Sequence, residues 1–432
     1  MPARASASVA HLPLPAEKPI TLRVTPAAER HLRHGHPWLY DQAIRKQSRE
    51  GKPGELAAVF DARNRFLAIG LYDPHSPIRV RVLQLRAPAP IDRAWLQARL
   101  CAAIQRRAPL QRADTTGYRL VHGENDGLPG LVVDQYDQTL VLKLYTVAWV
   151  AHLRALLAAL QGLTAPQRLI LRLSRAVVQH PDDLHGLSDG MVLAGSPVTR
   201  PVIFRENALR FEVDPIHGQK TGFFLDQRDN RGRLGSLSAG RSVLDAFAYT
   251  GAFSVYAAAG GAREVVSLDA SLPSLEAAKR NMALNNDFAG VAGARHECLQ
   301  GDAFELLDRL RRHGRQFDIV ILDPPAFAKT KEEVRPALKS YGTLTRLGLL
   351  VLKPGGLLVQ SSCSGQVSPG AFFKTVYEAA GSVRRNLRDV ARTSHPLDHP
   401  VTFKEGQYLK CLFARVPGPL RRGRCETAEG RL

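Results

Sequence analysis

The chain has 432 residues, 44% of them hydrophobic, with 59 Lys and Arg against 40 Asp and Glu and a formal charge of +19. That length exceeds one core and gives two to three domains, and the apolar runs are strand-sized and broken by charge, which excludes a helix spanning a bilayer. Five cysteines (101, 298, 363, 411 and 425) show no CxxC pairing and no metal-ligand spacing with histidine, so neither a disulfide scaffold nor a metal site is expected.

Residues 1–18 lack the apolar core of a signal peptide and are expected to be a flexible leader, which makes the cytoplasm the expected location. Residues 19–88 read as short strands: ITLRVT (20–25), ELAAVFD (55–61), FLAIGLYD (66–73) and IRVRVLQL (78–85). Turns at Pro53-Gly54, Asp61 to Asn64 and Asp73-Pro74 fall at short intervals, as in a small β-barrel. Arginines alternate with apolar residues in the last strand, predicting one core face and one basic face. Residues 1–110 carry 18 Lys and Arg against 8 Asp and Glu, and arginine forks well onto phosphate. The excess predicts a polyanionic partner bound with salt-dependent affinity, or else a generally basic proteome. The barrel can alternatively be an oligomerisation module, making the chain a homodimer.

Pro88 and Pro90 end that pattern, and an amphipathic helix over 91–107 opens a second unit (89–200). There, residues 118–146 read as a hairpin turning at Gly127 to Gly130, followed by a helix over 148–161 and the strand RLILRLSR (168–175). Residues 201–416 begin with ALRFEVDP (208–215) and a polar loop, and then the grammar changes. SVLDAFAYTGAFS (242–254), REVVSLDAS (263–271), FDIVILDPPAF (317–327) and GGLLVQSSCS (355–364) are each an apolar strand that stops at polar residues, with helical segments between. Such repeats are β-α units of a parallel sheet, whose carboxyl edge is where open α/β sheets bind ligands. The tail from 417 is basic and expected to be mobile.

On its own, Asp323-Pro324-Pro325 is also compatible with an ordinary strand-ending turn; the neighbouring strand ends decide otherwise. Asp245 with Phe247, Thr250 and Gly251 forms a nucleotide-type first turn that leaves room for close backbone approach, yet it is not GxGxxG. Asp269 ends the next strand, where an acidic residue accepts ribose hydroxyls. Asp302 and Ala303, with Phe304 after them, add a carboxylate and an aromatic beside an adenine ring. A ligand with ribose and adenine but no pyrophosphate fits, which points to S-adenosylmethionine. No internal repeat is present.

HGENDGLPGLVVD (122–134), QKTGFFLDQRDNR (219–231), LDAFAYTGAFS (244–254), DPPAF (323–327), SSCSGQV (361–367) and DHPV…EGQYLK (398–410), in this order, resemble the bacterial 23S ribosomal RNA cytosine-C5 methyltransferases of the RlmI type. The resemblance implies an α/β fold: a Rossmann-like class I methyltransferase sheet, an N-terminal PUA-like small β-barrel that binds RNA and a central α+β (EEHEE) unit. It implies S-adenosylmethionine as cofactor and ribosomal RNA as partner. It also implies that Gln219, Lys220, Thr221, Gly222 and Phe223 pack over the cofactor near its methionine end, with Asp226 and Arg228 contacting it or orienting the loop; a tight turn with Phe223 and Phe224 in the core is the alternative.

Carbon 5 of cytosine needs attack at carbon 6 before it takes a methyl group, and Cys363 stands at the sheet edge where a thiolate is required. Asp323 would hold the N3/N4 edge of the base, while Phe327, after Pro324 and Pro325, would stack on it. A guanine-N7 or exocyclic-amine RNA methyltransferase shares the DPP segment without a covalent step, and an RNA-binding assembly factor with a vestigial site is the alternative of another class.

Overall fold

A computed structural model describes residues 9–417. The chain divides into two units, one of residues up to 228 together with 395–407, the other of 229–394 together with residues from 408 onward.

The first unit opens on a six-stranded sheet. Ile20–Val24 alternates buried and exposed, Ile20, Leu22 and Val24 inward, as a half-buried strand requires. It pairs in parallel with Leu56–Phe60 and antiparallel with Ile44–Gln47, and the full order is Trp38–Tyr40, Ile78–Leu85, Phe66–Tyr72, Leu56–Phe60, Ile20–Val24, Ile44–Gln47. The order has two edges, so this is a half-barrel. The helix Pro26–Arg33 starts where Thr25 Oγ1 accepts the Ala28 amide and proline fills the first turn; it closes the half-barrel core with Ala28 and Leu32.

One expectation fails here. Arg81 was assigned to a basic outer face, but it is 7% exposed. Leu71 and Leu83 join the core of the five-stranded sheet that follows, so the strand Ile78–Leu85 is covered on both sides. Burial lowers the proton affinity of the Arg81 guanidinium, and the charges of Glu124 and Asp73 counter it.

That second sheet runs Val192–Ala194, Arg168–Leu173, Thr139–Leu144, Leu131–Tyr136, Gly117–His122. The segment expected as one hairpin is a three-stranded meander, because Asp137, at φ +52°, makes a second tight turn between Tyr136 and Thr139. The helix expected over 91–107 spans Arg93–Arg112. Residues 147–164 are long and apolar enough, by composition alone, to cross a membrane, contrary to the reading of the sequence; here they form a 3-10 turn and the helix Leu153–Thr164, whose Leu153, Leu156, Leu157 and Leu160 are core residues. Val9 and Leu12 are buried in the same core, so ordered chain begins ahead of residue 19. Residues 1–8 of the expected leader and 418–432 of the expected tail lie outside the described residues.

The second unit is a seven-stranded sheet: β1 (Ser242–Ala246), β2 (Glu264–Asp269), β3 (Arg295–Gln300), β4 (Phe317–Leu322), β5 (Leu352–Ser362), β6 (Arg388–Thr393) and β7 (Lys410–Arg415). Its order is β3-β2-β1-β4-β5-β7-β6; the first five strands are parallel and β7 is antiparallel to both neighbours. Continuous apolar runs become central parallel strands because both faces are covered: all five residues of β1 are buried. Strand order reverses between β1 and β4, the switch point at which the carboxyl ends leave a crevice.

Candidate cofactor and substrate site

β1 delivers Asp245 to the crevice, and the loop after it turns back on itself. Phe247, Tyr249 and Gly251 all have positive φ (65°, 49° and 73°). The Ala248 amide donates to Leu268 O (2.9 Å), the Tyr249 amide to Asp269 Oδ2 (2.9 Å) and the Gly251 amide to Ala248 O (2.8 Å). A Cβ on Gly251 would stand 2.6 Å from that of Ala278, so only glycine lets the helix Ala252–Ala259 start this close to its neighbour. Asn281 Nδ2 donates to Thr250 O at 2.8 Å. Asp269 also accepts the Ser271 amide (2.9 Å), so one carboxylate organises two loops. Asp302 is exposed and caps the helix Ala303–Arg312, accepting the amides of Phe304 (2.9 Å) and Glu305 (3.1 Å); Ala303 is buried.

Asp245 is 1% exposed; Ser254 Oγ donates to its Oδ2 (2.7 Å), while Oδ1 has no hydrogen-bond partner, and neither has the buried Thr250 Oγ1. Burial pushes the Asp245 carboxyl up to about 7, against the Ser254 hydrogen bond and helped by the charges of Asp323 and Asp269. Buried polar atoms left unsatisfied at a crevice mark a place where a polar ligand completes the bonding. Asp245 Oδ1, Thr250 Oγ1 and the Asp269 carboxylate are acceptors and a hydroxyl of the kind that the amino group and ribose of S-adenosylmethionine use.

β4 and β5 form the other wall, paired in register from Ile319↔Leu357 to Leu322↔Gln360. Asp323 follows β4, half-buried, its amide 3.4 Å from Ala246 O. Pro324 is buried and Pro325 exposed; Phe327 is half-buried, its ring 4.8 Å from that of Tyr341 and 6.4 Å from that of Phe304. Cys363 follows β5, half-buried, with Sγ 3.9 Å from Pro324 O. Ser364 Oγ accepts the Ala328 amide (3.3 Å) and bonds Tyr341 OH (3.0 Å), tying the two loops together. The strand ends from Asp245 to Cys363 thus form one edge. Sequence reasoning did not single out Tyr341, Ser364 or Lys410. Lys410 Nζ donates to Ser364 O (2.6 Å), Val367 O (2.7 Å) and Tyr408 O (3.0 Å). The signal for it was available: a lysine opening a strand, KCLFAR, whose next four residues are apolar.

Residues 219–228 belong to the first unit, and several are spent on its own packing. Phe223, expected against the cofactor, is 2% exposed, with its ring 5.0 Å from Phe204 and 5.3 Å from Phe211. Thr221 is buried and donates to Asp134 Oδ2 (2.5 Å), next to Tyr136 OH (3.0 Å). Of the two rings, Phe223 packs in the core and Phe224 is half-buried, with Lys220 Nζ 4.4 Å from its centroid. Lys220 (φ +56°) bonds Asp226 Oδ2 at 2.9 Å, and Gly222, at φ +123°, has no room for a Cβ, which would lie 2.1 Å from Val213 Cγ2. Gln219 is exposed, and its carbonyl takes the Gly222 amide at 2.7 Å. Arg228, 1% exposed, forks onto Asp398 at 2.7 and 2.9 Å. Elsewhere in this unit His75, His180 and Asp183 gather potential metal ligands within 4.8 Å. The two rings stack face to face (4.2 Å, 17°), so their in-plane lone pairs run side by side rather than converging on one ion, and His75 Nε2 bonds Asp183 at 2.8 Å.

Residues 118–414 match the model of S-adenosylmethionine-dependent methyltransferases, and residues 22–85 match that of PUA-like domains. A ribosomal RNA large subunit methyltransferase of Deinococcus radiodurans is 49% identical over 92% of this chain and 97% of its own length. The ribosomal RNA large subunit methyltransferase I of Pseudoalteromonas translucida is 36% identical over 90% and 97%. Among solved structures, a SAM-dependent methyltransferase from Streptococcus mutans has a TM-score of 0.77 at 23% identity, and a methyltransferase complexed with SAH has 0.78 at 24%; each is matched over 92% of this chain and 100% of its own, and shares the fold. Matched along almost its whole length and carrying both modules, the chain belongs to the RlmI-like family of S-adenosylmethionine-dependent methyltransferases with a PUA-like domain.

Proposed function

We propose that this protein methylates carbon 5 of a cytosine in 23S ribosomal RNA, in the cytoplasm, through a covalent bond between Cys363 and carbon 6 of the base. The observation that carries the reading is the placement of a half-buried sulfur beside the DPP loop, at the edge that also holds Asp245. S-adenosylmethionine, when bound, supplies an electrophilic methyl group on a sulfonium. The Cys363 thiolate gives its electron pair to carbon 6, and the double-bond pair moves onto carbon 5 and out toward N3. Asp323 holds the N3/N4 edge and stabilises the charge arriving there, and Phe327 offers a face to the base extruded from its stack. Carbon 5 then takes the methyl group as the methyl–sulfur bond breaks, its pair remaining on the thioether. Loss of the carbon 5 proton to a base restores the double bond, and the carbon 6–sulfur bond breaks to return the thiolate.

The half-barrel supports RNA as the substrate class. Arg23, Arg30, Arg45, Lys46 and Arg63 are exposed there, and cations so placed bind phosphate irrespective of sequence.

A 5-fluorocytidine-substituted 23S RNA fragment tests the chemistry, because fluorine cannot leave carbon 5 as a proton does and the adduct stalls. Incubated with S-adenosylmethionine, the wild-type protein is expected to form a denaturation-resistant RNA adduct that maps to Cys363, and Cys363→Ala none. Methylation by Cys363→Ala at the wild-type rate would leave only a direct transfer, to guanine N7 or an exocyclic amine.

A further inference from the structure

Lys410 is a buried ammonium that nothing in the proposed reaction uses. It is 3% exposed, and among the described residues it forms an ion pair with no carboxylate. Its three N–H groups instead go to three backbone carbonyls, of Ser364, Val367 and Tyr408. Carbonyl dipoles satisfy its hydrogen bonds but not its charge, and burying an ammonium without a counter-anion is unfavourable. Register explains what lies within reach: Lys410, the first residue of β7, pairs with Ser362, the last residue of β5, so its side chain lies under the loop that begins at Cys363. Two of the three carbonyls belong to that loop.

We propose that Lys410 is a positioning residue that clamps the Cys363 loop from below and supplies the positive charge keeping the sulfur of Cys363 as a thiolate. This rests on the reading of Cys363 as the nucleophile. Burial lowers the Lys410 ammonium to about 8, and the charge of Cys363 acts in the opposite direction. At neutral pH Lys410 keeps its proton. The thiol proton goes to water, and no proton passes through the lysine; the charge serves when the thiolate attacks and again when it is released. Tyr341, bonded to Ser364, holds the same loop from another side.

Alkylation of Cys363 by iodoacetamide across pH 5.5–10, followed peptide by peptide so that the other cysteines are counted separately, tests this without the methyl transfer. The wild-type midpoint is expected below the ~8.5 of a free thiol. Lys410→Met is expected to raise it by a unit or more, lowering the rate at pH 7 roughly tenfold, and Lys410→Arg, which keeps the charge, to stay with wild type. A Lys410→Met protein that melts with the wild type and alkylates with the wild-type pH profile overturns the proposal. If that variant does not fold, Lys410→Gln replaces it; if neither folds, a wild-type midpoint at or above ~8.5 overturns it. A missing 5-fluorocytidine adduct together with a shifted Lys410→Met profile would sink the covalent reading and keep the lysine–thiolate pair, whereas the converse would do the opposite.

Discussion

Buried aspartates are bonded differently in the two units. In the first, Asp398 accepts two bonds from Arg228, the Arg119 amide (2.9 Å) and His399 Nδ1 (3.0 Å); Asp134 takes both prongs of Arg119 (2.8 and 2.9 Å), and Asp126 both of Arg107 (2.9 and 2.6 Å). Those carboxylates are saturated, and a saturated carboxylate has little to offer a ligand. In the second unit Asp245 keeps one oxygen unbonded, Thr250 keeps its hydroxyl unbonded and Lys410 keeps its charge unpaired. Residue type does not separate the two groups, since aspartates are buried in both. Completeness of bonding separates these aspartates, although it does not sort every buried polar group, since Arg81 Nε in the first unit also has no partner.

The largest stability effect is therefore expected in the saturated network. Asp398→Ala removes the buried carboxylate onto which Arg228 forks and should lower stability by about 3–5 kcal/mol in urea denaturation. Burial alone would raise the Asp398 carboxyl, but His399 and the Arg228 guanidinium hold it well below the ordinary range. A depressed carboxyl stabilises above its unfolded value and loses that contribution as pH falls through the folded one. The gap between wild type and variant should thus hold from pH 8 down to about pH 4 and close only in stronger acid. A gap below 1 kcal/mol would break the contrast at its strongest point.

Asp245 sharpens the same contrast with two readouts that move oppositely. Its carboxyl is raised to about 7, so the folded state favours the proton; that contribution is full below the ordinary carboxylate value of about 4 and is lost progressively as pH rises to 7. Asp245→Asn removes a cost that grows as pH rises from about 4, where the unfolded carboxyl titrates, to about 7, and should raise the melting temperature by on the order of 3 °C at pH 8, by about a third of that at pH 5 and by almost nothing at pH 4. The same variant should weaken S-adenosylmethionine binding by calorimetry at least ~10-fold, because a charge-assisted bond to the ligand is lost. A variant less stable than wild type at pH 8 would make Asp245 a structural carboxylate like Asp398.

How much of this was legible in the sequence follows from the range of the contacts involved. β1, β2, β4 and β5 were readable because a parallel strand covered on both faces is a continuous apolar run, and Asp245, Asp269, Asp323 and Cys363 were readable because each ends such a run. Arg81 was misjudged because alternation predicts a free face, and only the fold shows that Leu71 and Leu83 lie in a second core. The turn at Asp137 carried no glycine, so the meander looked like a hairpin. The packing of Phe223 was not legible, because its ring partners Phe204 and Phe211 lie in strands before the loop and carry no marker. Lys410 differs: a lysine opening the strand KCLFAR was visible, but what it reaches depends on β7 pairing with β5 across an intervening strand and helix, and periodicity does not encode that pairing.

The smallest expected effect is on the half-barrel surface, where the contrast between paired and unpaired charge recurs in solvent. Arg33 and Arg65 already face Asp61, at 3.2 and 2.6 Å. Arg45 and Lys46, successive exposed residues on the edge strand Ile44–Gln47, have no carboxylate partner among the described residues. Surface ion pairs contribute little to stability, but a cation already facing a carboxylate is a poorer phosphate ligand than a free one. Each phosphate contact accounts for about 0.7–0.9 in the slope of log affinity against log salt. Arg45→Gln with Lys46→Gln should therefore weaken binding of a ribosomal RNA fragment roughly tenfold at 0.1 M salt and reduce the slope by about 1.5, whatever the RNA sequence. Arg33→Gln with Arg65→Gln, which removes the same nominal charge, should change both by less than half as much. Equal effects from the two pairs would mean that RNA responds to net charge alone, and that the pairing seen on this surface has no bearing on where it docks.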